Sequence, residues 1–197
     1  MLLGGVTENL AIGLANTACP EASCCEGALD QHVIARLLQD VGVDLERFSG
    51  ASYSTALSDL VQLRSLIVTT VETLASGAAI DDATLERING LLSLGRFAPT
   101  IERTAGGYHS VLRVEGTEPA ALVAPFAYSF AQLLQTTDPG RIKRCREPRC
   151  ACYFIDTSKN RTRAWCSMQR CGNRQKVAKY YRRSKENETA DTSVPTV

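Results

Sequence analysis

A mainly α-helical fold with one small β-hairpin, an α+β chain ending in a compact C-terminal module, is predicted by three features of the sequence. Apolar residues recur at helical spacing through most of residues 7–94. A short β-like stretch with turn glycines follows Gly95. After residue 140 the composition changes, and cysteines alternate with a dense run of Lys and Arg.

The helices are argued one at a time. Residues 7–18 carry Leu10, Ile12, Leu14 and Ala15 behind Thr7, a capping hydroxyl, and a cysteine-rich turn through Pro20 and Gly27 ends them. Leu29, Val33, Leu37 and Val41 then recur every four residues, an amphipathic stripe. After Ser49-Gly50 the longest helical pattern covers 53–75, with Leu57, Leu60, Val61, Leu63, Ile67, Val71 and Leu74. Asp81-Asp82 opens a fourth helix bearing Leu85, Ile88, Leu91 and Leu92, its acids suited to the positive end of the helix dipole.

FAPTIERT and YHSVLRVE, joined through Ala105-Gly106-Gly107, predict the hairpin, because glycine reaches the positive φ that tight turns need. Thr117-Glu118-Pro119 reads as a helix start, and the apolar AALVAPFAYSFAQLLQ after it carries Pro125, expected to kink or interrupt the helix. Asp138-Pro139-Gly140 marks a boundary. The predicted organisation is therefore a helical domain over residues 1–138, a cysteine module over 139–185 and a polar, disordered tail over 186–197. Residues 1–138 are expected to fold without the module.

The net charge of +1 conceals a division. Residues 1–140 hold seven Lys and Arg against sixteen Asp and Glu, leaving −9, whereas residues 141–183 hold fourteen against only Glu147 and Asp156, leaving +12. Such asymmetry points to an acidic body with a module that seeks nucleic acid or an acidic partner. No apolar run approaches the ~20 residues of a membrane span. The N-terminus lacks a basic n-region, and Glu8 and Asn9 interrupt its apolar run, so a cytoplasmic, non-membrane protein with reduced thiols is expected.

Cys145, Cys150, Cys166 and Cys171 form two C-x4-C pairs. Two short cysteine loops separated by a strand-and-turn spacer suit tetrahedral Zn2+, and four thiolates fill its coordination sphere, so one structural zinc is predicted. The second pair runs into GNRQKVAKYYRR, a helix-forming stretch, which places its thiolates near a helix N-terminus. Knuckle, short hairpin and helix together make a treble-clef-like finger. Cys152 is read as a core or face residue, with its replacement of Cys150 as ligand the rival pairing. Cys19, Cys24 and Cys25 are read as free thiols.

This is also where a family resemblance emerges. Asp156-Thr157-Ser158, Asn160, Arg161, Trp165-Cys166-Ser167-Met168 and Cys171-Gly172-Asn173-Arg174 resemble the C-terminal signature of the CGNR zinc-finger proteins. These are bacterial proteins with an N-terminal ABATE domain, and LAIGLANT (residues 10–17) is similar to that domain's opening, with Gly13 where the family has an acidic residue. The resemblance implies a stress-induced transcriptional regulator: a sensory body joined to a DNA-binding finger.

Catalytic chemistry is not expected. His32 and His109 are the two histidines, and no nucleophile elbow, H-E-x-x-H, Walker loop or dinucleotide fingerprint is present, so the chain is read as a non-enzyme. On the finger, Arg161 and Arg163 in the spacer loop and Asn173, Arg174, Lys176, Lys179, Arg182 and Arg183 on the last helix are the candidate nucleic-acid contacts. Arg174 has a second candidate role as a donor to the thiolates. DNA is the preferred partner; an RNA-binding or ribosome-associated module and a finger that docks a protein are the alternatives. A small-molecule site along Phe126, Tyr128 and Phe130 and a homodimer are left open.

Overall fold

The computed structural model describes residues 9–18, 29–38, 43, 45, 48–115 and 119–191. The expected cap at Thr7, the cysteine-rich turn with Cys19, Cys24 and Cys25, the Val41 end of the second helix, Thr117-Glu118 and residues 192–197 lie outside them.

Helix α1 (Leu10–Asn16) starts three residues later than expected, because Asn9 is the cap: its Oδ1 accepts from the amides of Ala11 at 3.0 Å and Ile12 at 3.2 Å. All seven residues of α1 are buried. Helix α2 (Gln31–Leu38) is capped by Asp30, whose Oδ1 accepts from Val33 N at 2.9 Å, and buries Val33, Ile34 and Leu38. Helix α3 (Gly50–Ala75) is the longest and buries Leu60, Leu63, Leu66, Ile67 and Val71 along one face. Helix α4 (Asp82–Leu94) begins at the Asp81 cap and buries Ile88, with Leu85 left 41% exposed.

Strands β1 (Phe97–Thr104) and β2 (Gly107–Val114) pair antiparallel in the register Phe97↔Val114 to Thr104↔Gly107. Only Gly107 of the turn glycines takes positive φ, at 123°. The hairpin is anchored at its base, where Phe97 packs on Tyr128 with ring centroids 5.3 Å apart.

Helix α5 (Pro119–Thr136) runs unbroken through Pro125, so the proline does not interrupt it. Proline cannot donate to the preceding turn, but Ala121 to Ala127 are all buried, and this helix packs against α1, α3 and α4. The tertiary contacts of a central helix outweigh the local penalty. Phe126 and Phe130 are fully buried at its centre.

The chain then turns through Pro139–Arg141 into β3 (Ile142–Arg144) and β4 (Tyr153–Ile155), an antiparallel pair with Ile142 opposite Ile155. Ile142 and Tyr153 belong to the same buried cluster as the helices, so the core continues across residues 138–139. Asn16, at the end of α1, accepts from Tyr153 N at 2.7 Å and donates to Tyr153 O at 3.1 Å, so its side-chain amide pairs with β4 as a neighbouring strand would. Helix α6 (Asn173–Asp191) packs chiefly on the turn just before it and continues past Glu186, since Lys185 to Ala190 contain no glycine or proline to stop it. No helix among the described residues is long and apolar enough to cross a membrane.

Candidate metal centre and nucleic-acid interface

The first cysteine pair occupies the tip of the β3–β4 hairpin. Cys145 N donates to Cys152 O at 2.9 Å, extending the ladder by one step, and Cys150 N donates to Glu147 O at 2.9 Å, closing a tight turn. Cys166 follows the returning spacer, tied to the knuckle by Arg146 N donating to Ala164 O at 3.0 Å. Ser167 then caps a wide helical turn, Met168–Gly172, in which Gly172 N reaches back five residues to Ser167 O at 3.0 Å. That turn carries Cys171 toward Cys166 and leads directly into α6. The second pair therefore lies at a helix entrance, as the sequence predicted.

The four Sγ atoms of Cys145, Cys150, Cys166 and Cys171 lie within 4.8 Å of one another. Cys150 and Cys166 approach to 3.7 Å, and Cys166 and Cys171 to 3.5 Å. A tetrahedron of thiolates around zinc, with bonds of ~2.3 Å, has edges of about 3.8 Å. The four sulfurs thus fit one zinc, with no position left for water or substrate, and the metal is structural. Burial, then the hydrogen bond with Cys171, pushes the Cys166 thiol up to about 12. For Cys171 burial also pushes upward, but hydrogen bonds led by that from Arg174 outweigh it and bring the thiol below its ordinary value.

Cys152 is 2% exposed and outside the ligand set, as expected. It is not a reduced thiol, however: it is disulfide-bonded, whereas the four ligand cysteines are free. The expectation of uniformly reduced cysteines does not hold at this position.

Two carboxylates organise the basic module. Asp156 is fully buried and accepts from Lys143 Nζ at 2.6 Å, Ser158 N at 2.9 Å, Ser158 Oγ at 2.6 Å and Arg163 N at 3.1 Å. The Lys143 hydrogen bond first, then those from Ser158, hold its carboxyl well below the usual carboxylate range. One side chain thereby ties β3, through Lys143, to Ser158 and Arg163 of the spacer between the cysteine pairs. Glu147, 3% exposed, accepts from Arg149 N at 3.1 Å and faces Arg174 Nη2 at 3.7 Å. Sequence reasoning did not assign roles to either acid. The available signal was their isolation, two carboxylates among fourteen cations.

The candidate nucleic-acid contacts separate into two groups. Arg161 takes a positive φ of 53° and pairs with Asp138 at 2.7 Å. Arg163 lies over the Phe154 ring at 4.7 Å and donates to the carbonyls of Trp165 and Cys166. Arg174 donates to Cys171 Sγ at 3.4 Å. These three brace the finger. Asn173, Lys176, Lys179, Arg182 and Arg183 are instead exposed along α6. On the helical body, Phe126 and Phe130 are core and Tyr128 packs on Phe97, so the aromatic face of α5 is filled by the protein itself.

Comparison with known families matches two stretches of the chain. Residues 8–137 match the family model ABATE, described as "Putative stress-induced transcription regulator", and residues 141–184 match the CGNR zinc finger. No curated protein matches the chain significantly.

Proposed function

Because the chain belongs to the ABATE family and ends in a CGNR zinc finger, we propose that it is a non-enzymatic, cytoplasmic bacterial regulator that binds DNA through the finger and senses a stress signal through its helical body. The observation that carries this reading is the exposed basic helix α6, which follows directly on the turn that carries Cys171. Lys176, Lys179, Arg182 and Arg183 crowd one stretch of that helix. Like charges three and four residues apart cost an isolated helix a few tenths of a kcal/mol per pair, a cost that a polyanion reverses. The family description supports transcriptional regulation, and the +12 charge of residues 141–183 supports a nucleic acid as the partner.

The test is a titration of the zinc-loaded full-length protein onto duplex DNA at several salt concentrations. Each phosphate neutralised adds about −0.9 to the log–log slope, so this helix should give about −4 to −6. The Lys176→Ala, Lys179→Ala, Arg183→Ala triple variant should flatten the slope by about 3 units while keeping its zinc. Tight binding to structured RNA or to an acidic protein, with no salt-dependent binding to duplex DNA, would refute the DNA reading.

A further inference from the structure

The helical body holds a crevice outside the metal centre. It lies between the second half of α3 and the start of α4, has a volume of about 310 Å³, and is lined on the α3 side by Ser65, Thr69, Thr70 and Thr73. Positions 65, 69 and 73 follow one another at four-residue spacing and Thr70 lies beside them, so these hydroxyls share one face of the helix. Each donates to its own helix: Ser65 to Val61 O, Thr69 to Ser65 O and Thr73 to Thr69 O, all at 3.0 Å, and Thr70 to Leu66 O at 2.7 Å. A hydroxyl that has given up its proton in this way keeps its acceptor lone pairs, so this wall of the crevice offers acceptors. The helix gains little from them. Threonine is a poor helix former, and back-bonding of this kind slightly destabilises a helix. Thr70 is 2% exposed, at a position where valine would have the same shape with no polar atom to bury.

The opposite wall carries two charges of opposite sign, Asp81 and Arg87. Asp81 caps α4, and the hydrogen bonds from Thr84, side chain first and then amide, hold its carboxyl below the usual range, with a smaller contribution from the charge of Arg87. The two are neighbours without forming an ion pair, and Arg87 pairs with no other carboxylate among the described residues. Leu66 and Ile80 add apolar surface to the lining.

Resting on the sensory role proposed for the body, we infer that this crevice binds a free α-amino acid with an apolar side chain. The ammonium group donates to the hydroxyl oxygens and to Asp81, the carboxylate meets Arg87, and the side chain lies on Leu66 and Ile80. An anion alone would meet one cation across a wall of acceptors, and a cation alone would leave Arg87 without a counter-charge. A primary ammonium is favoured over a quaternary one, because a trimethylated nitrogen has no N–H to give to the hydroxyl oxygens. The size agrees, since ligand pockets run from about 300 Å³ upward and this one has room for a single small molecule. The crevice also adjoins the support of the finger: Glu72, next to Thr73 on α3, accepts from the Tyr153 hydroxyl of β4 at 2.7 Å.

The experiment titrates the zinc-loaded full-length protein with each of the common L-amino acids by calorimetry. At least one with an apolar side chain should bind with a Kd below about 1 mM. The matching amine without the carboxylate, the carboxylic acid without the ammonium, and the N-trimethylated analogue should each bind about tenfold more weakly, since each leaves a charged group of the crevice without its hydrogen bond. Arg87→Ala and Asp81→Asn should each weaken binding about tenfold. Asparagine still caps α4, so the second change removes the charge and keeps the helix. Thr70→Val, which keeps the shape of the side chain, should weaken binding about threefold. No binding of any amino acid up to about 10 mM, or binding indifferent to both Arg87→Ala and Asp81→Asn, would overturn the assignment of the crevice while leaving the sensory reading standing. An amine that binds as tightly as the amino acid and is untouched by Arg87→Ala would overturn the amino-acid class. Binding at the crevice with unchanged affinity for duplex DNA would uphold the site and refute the sensory reading.

Discussion

Arg174 stands where the metal centre meets the basic helix, and its surroundings decide which of its two candidate roles it fills. Zinc with four thiolates carries a net charge of −2, and a guanidinium donating to Cys171 Sγ at 3.4 Å offsets part of it. Glu147 on the other side holds that guanidinium in place. Gly172 beside it is closely packed: a Cβ there would lie 2.5 Å from Met168 Sδ and 3.1 Å from Trp165 Cδ1. Replacing any of Cys145, Cys150, Cys166 or Cys171 by Ser should therefore abolish stoichiometric zinc, whereas Cys152→Ser should retain about one ion per chain. Arg174→Ala should keep the ion but weaken its hold by about 10–100-fold in competition with a chelator, the usual effect of removing a group that supports a ligand. An unchanged zinc affinity in the Arg174→Ala protein would return this residue to the nucleic-acid surface.

Among the elements, the join between α1 and β4 is the one with the largest consequence. Asn16 is 8% exposed and satisfies both backbone groups of Tyr153, whose hydroxyl donates to Glu72 Oε1 on α3 at 2.7 Å. Burial, then the Glu72 contact, pushes the Tyr153 phenol up to about 12, so it remains a donor at any ordinary pH. Asn16→Ala should cost about 2 kcal/mol or more in a urea titration, since it strands a buried N–H and a buried C=O together. A loss below about 0.5 kcal/mol would mean that water replaces the amide. This join was not legible in the sequence, because residues 16 and 153 are far apart and only folding brings them together. The existence and type of α2, α3, α4 and the β1–β2 hairpin were legible, since hydrophobic period and turn glycines are local signals. The zinc ligands were legible for the same reason. Pro125 does not interrupt α5 because a local propensity is outweighed by the packing around that helix, and Thr7 misled because Asn9 lies nearer the first buried residue.

Across the whole molecule, the finger is stapled to the body rather than tethered to it. Ile142 and Tyr153 sit in the helical core, Asp138 pairs with Arg161 across the boundary, and Asn16 borders β4. The hairpin that supplies those contacts carries Cys145 and Cys150 at its tip. Metal binding at the tip therefore supports the strands that complete the core, and the free energy of zinc binding becomes stability of the body as well. Removing zinc from the intact protein should lower the melting temperature of the helical body, not merely melt the finger. Trp165, the single tryptophan, reports the finger, and ellipticity at 222 nm is dominated by the helices of the body. With zinc bound the two signals should change in one coincident transition, and after chelation the helical transition itself should shift to lower temperature. If the helices melt at the same temperature with and without zinc, while the Trp165 signal alone is lost, body and finger are energetically independent despite their shared core. The sensing proposed for the body would then have to act on α6 through a route other than the β3–β4 hairpin.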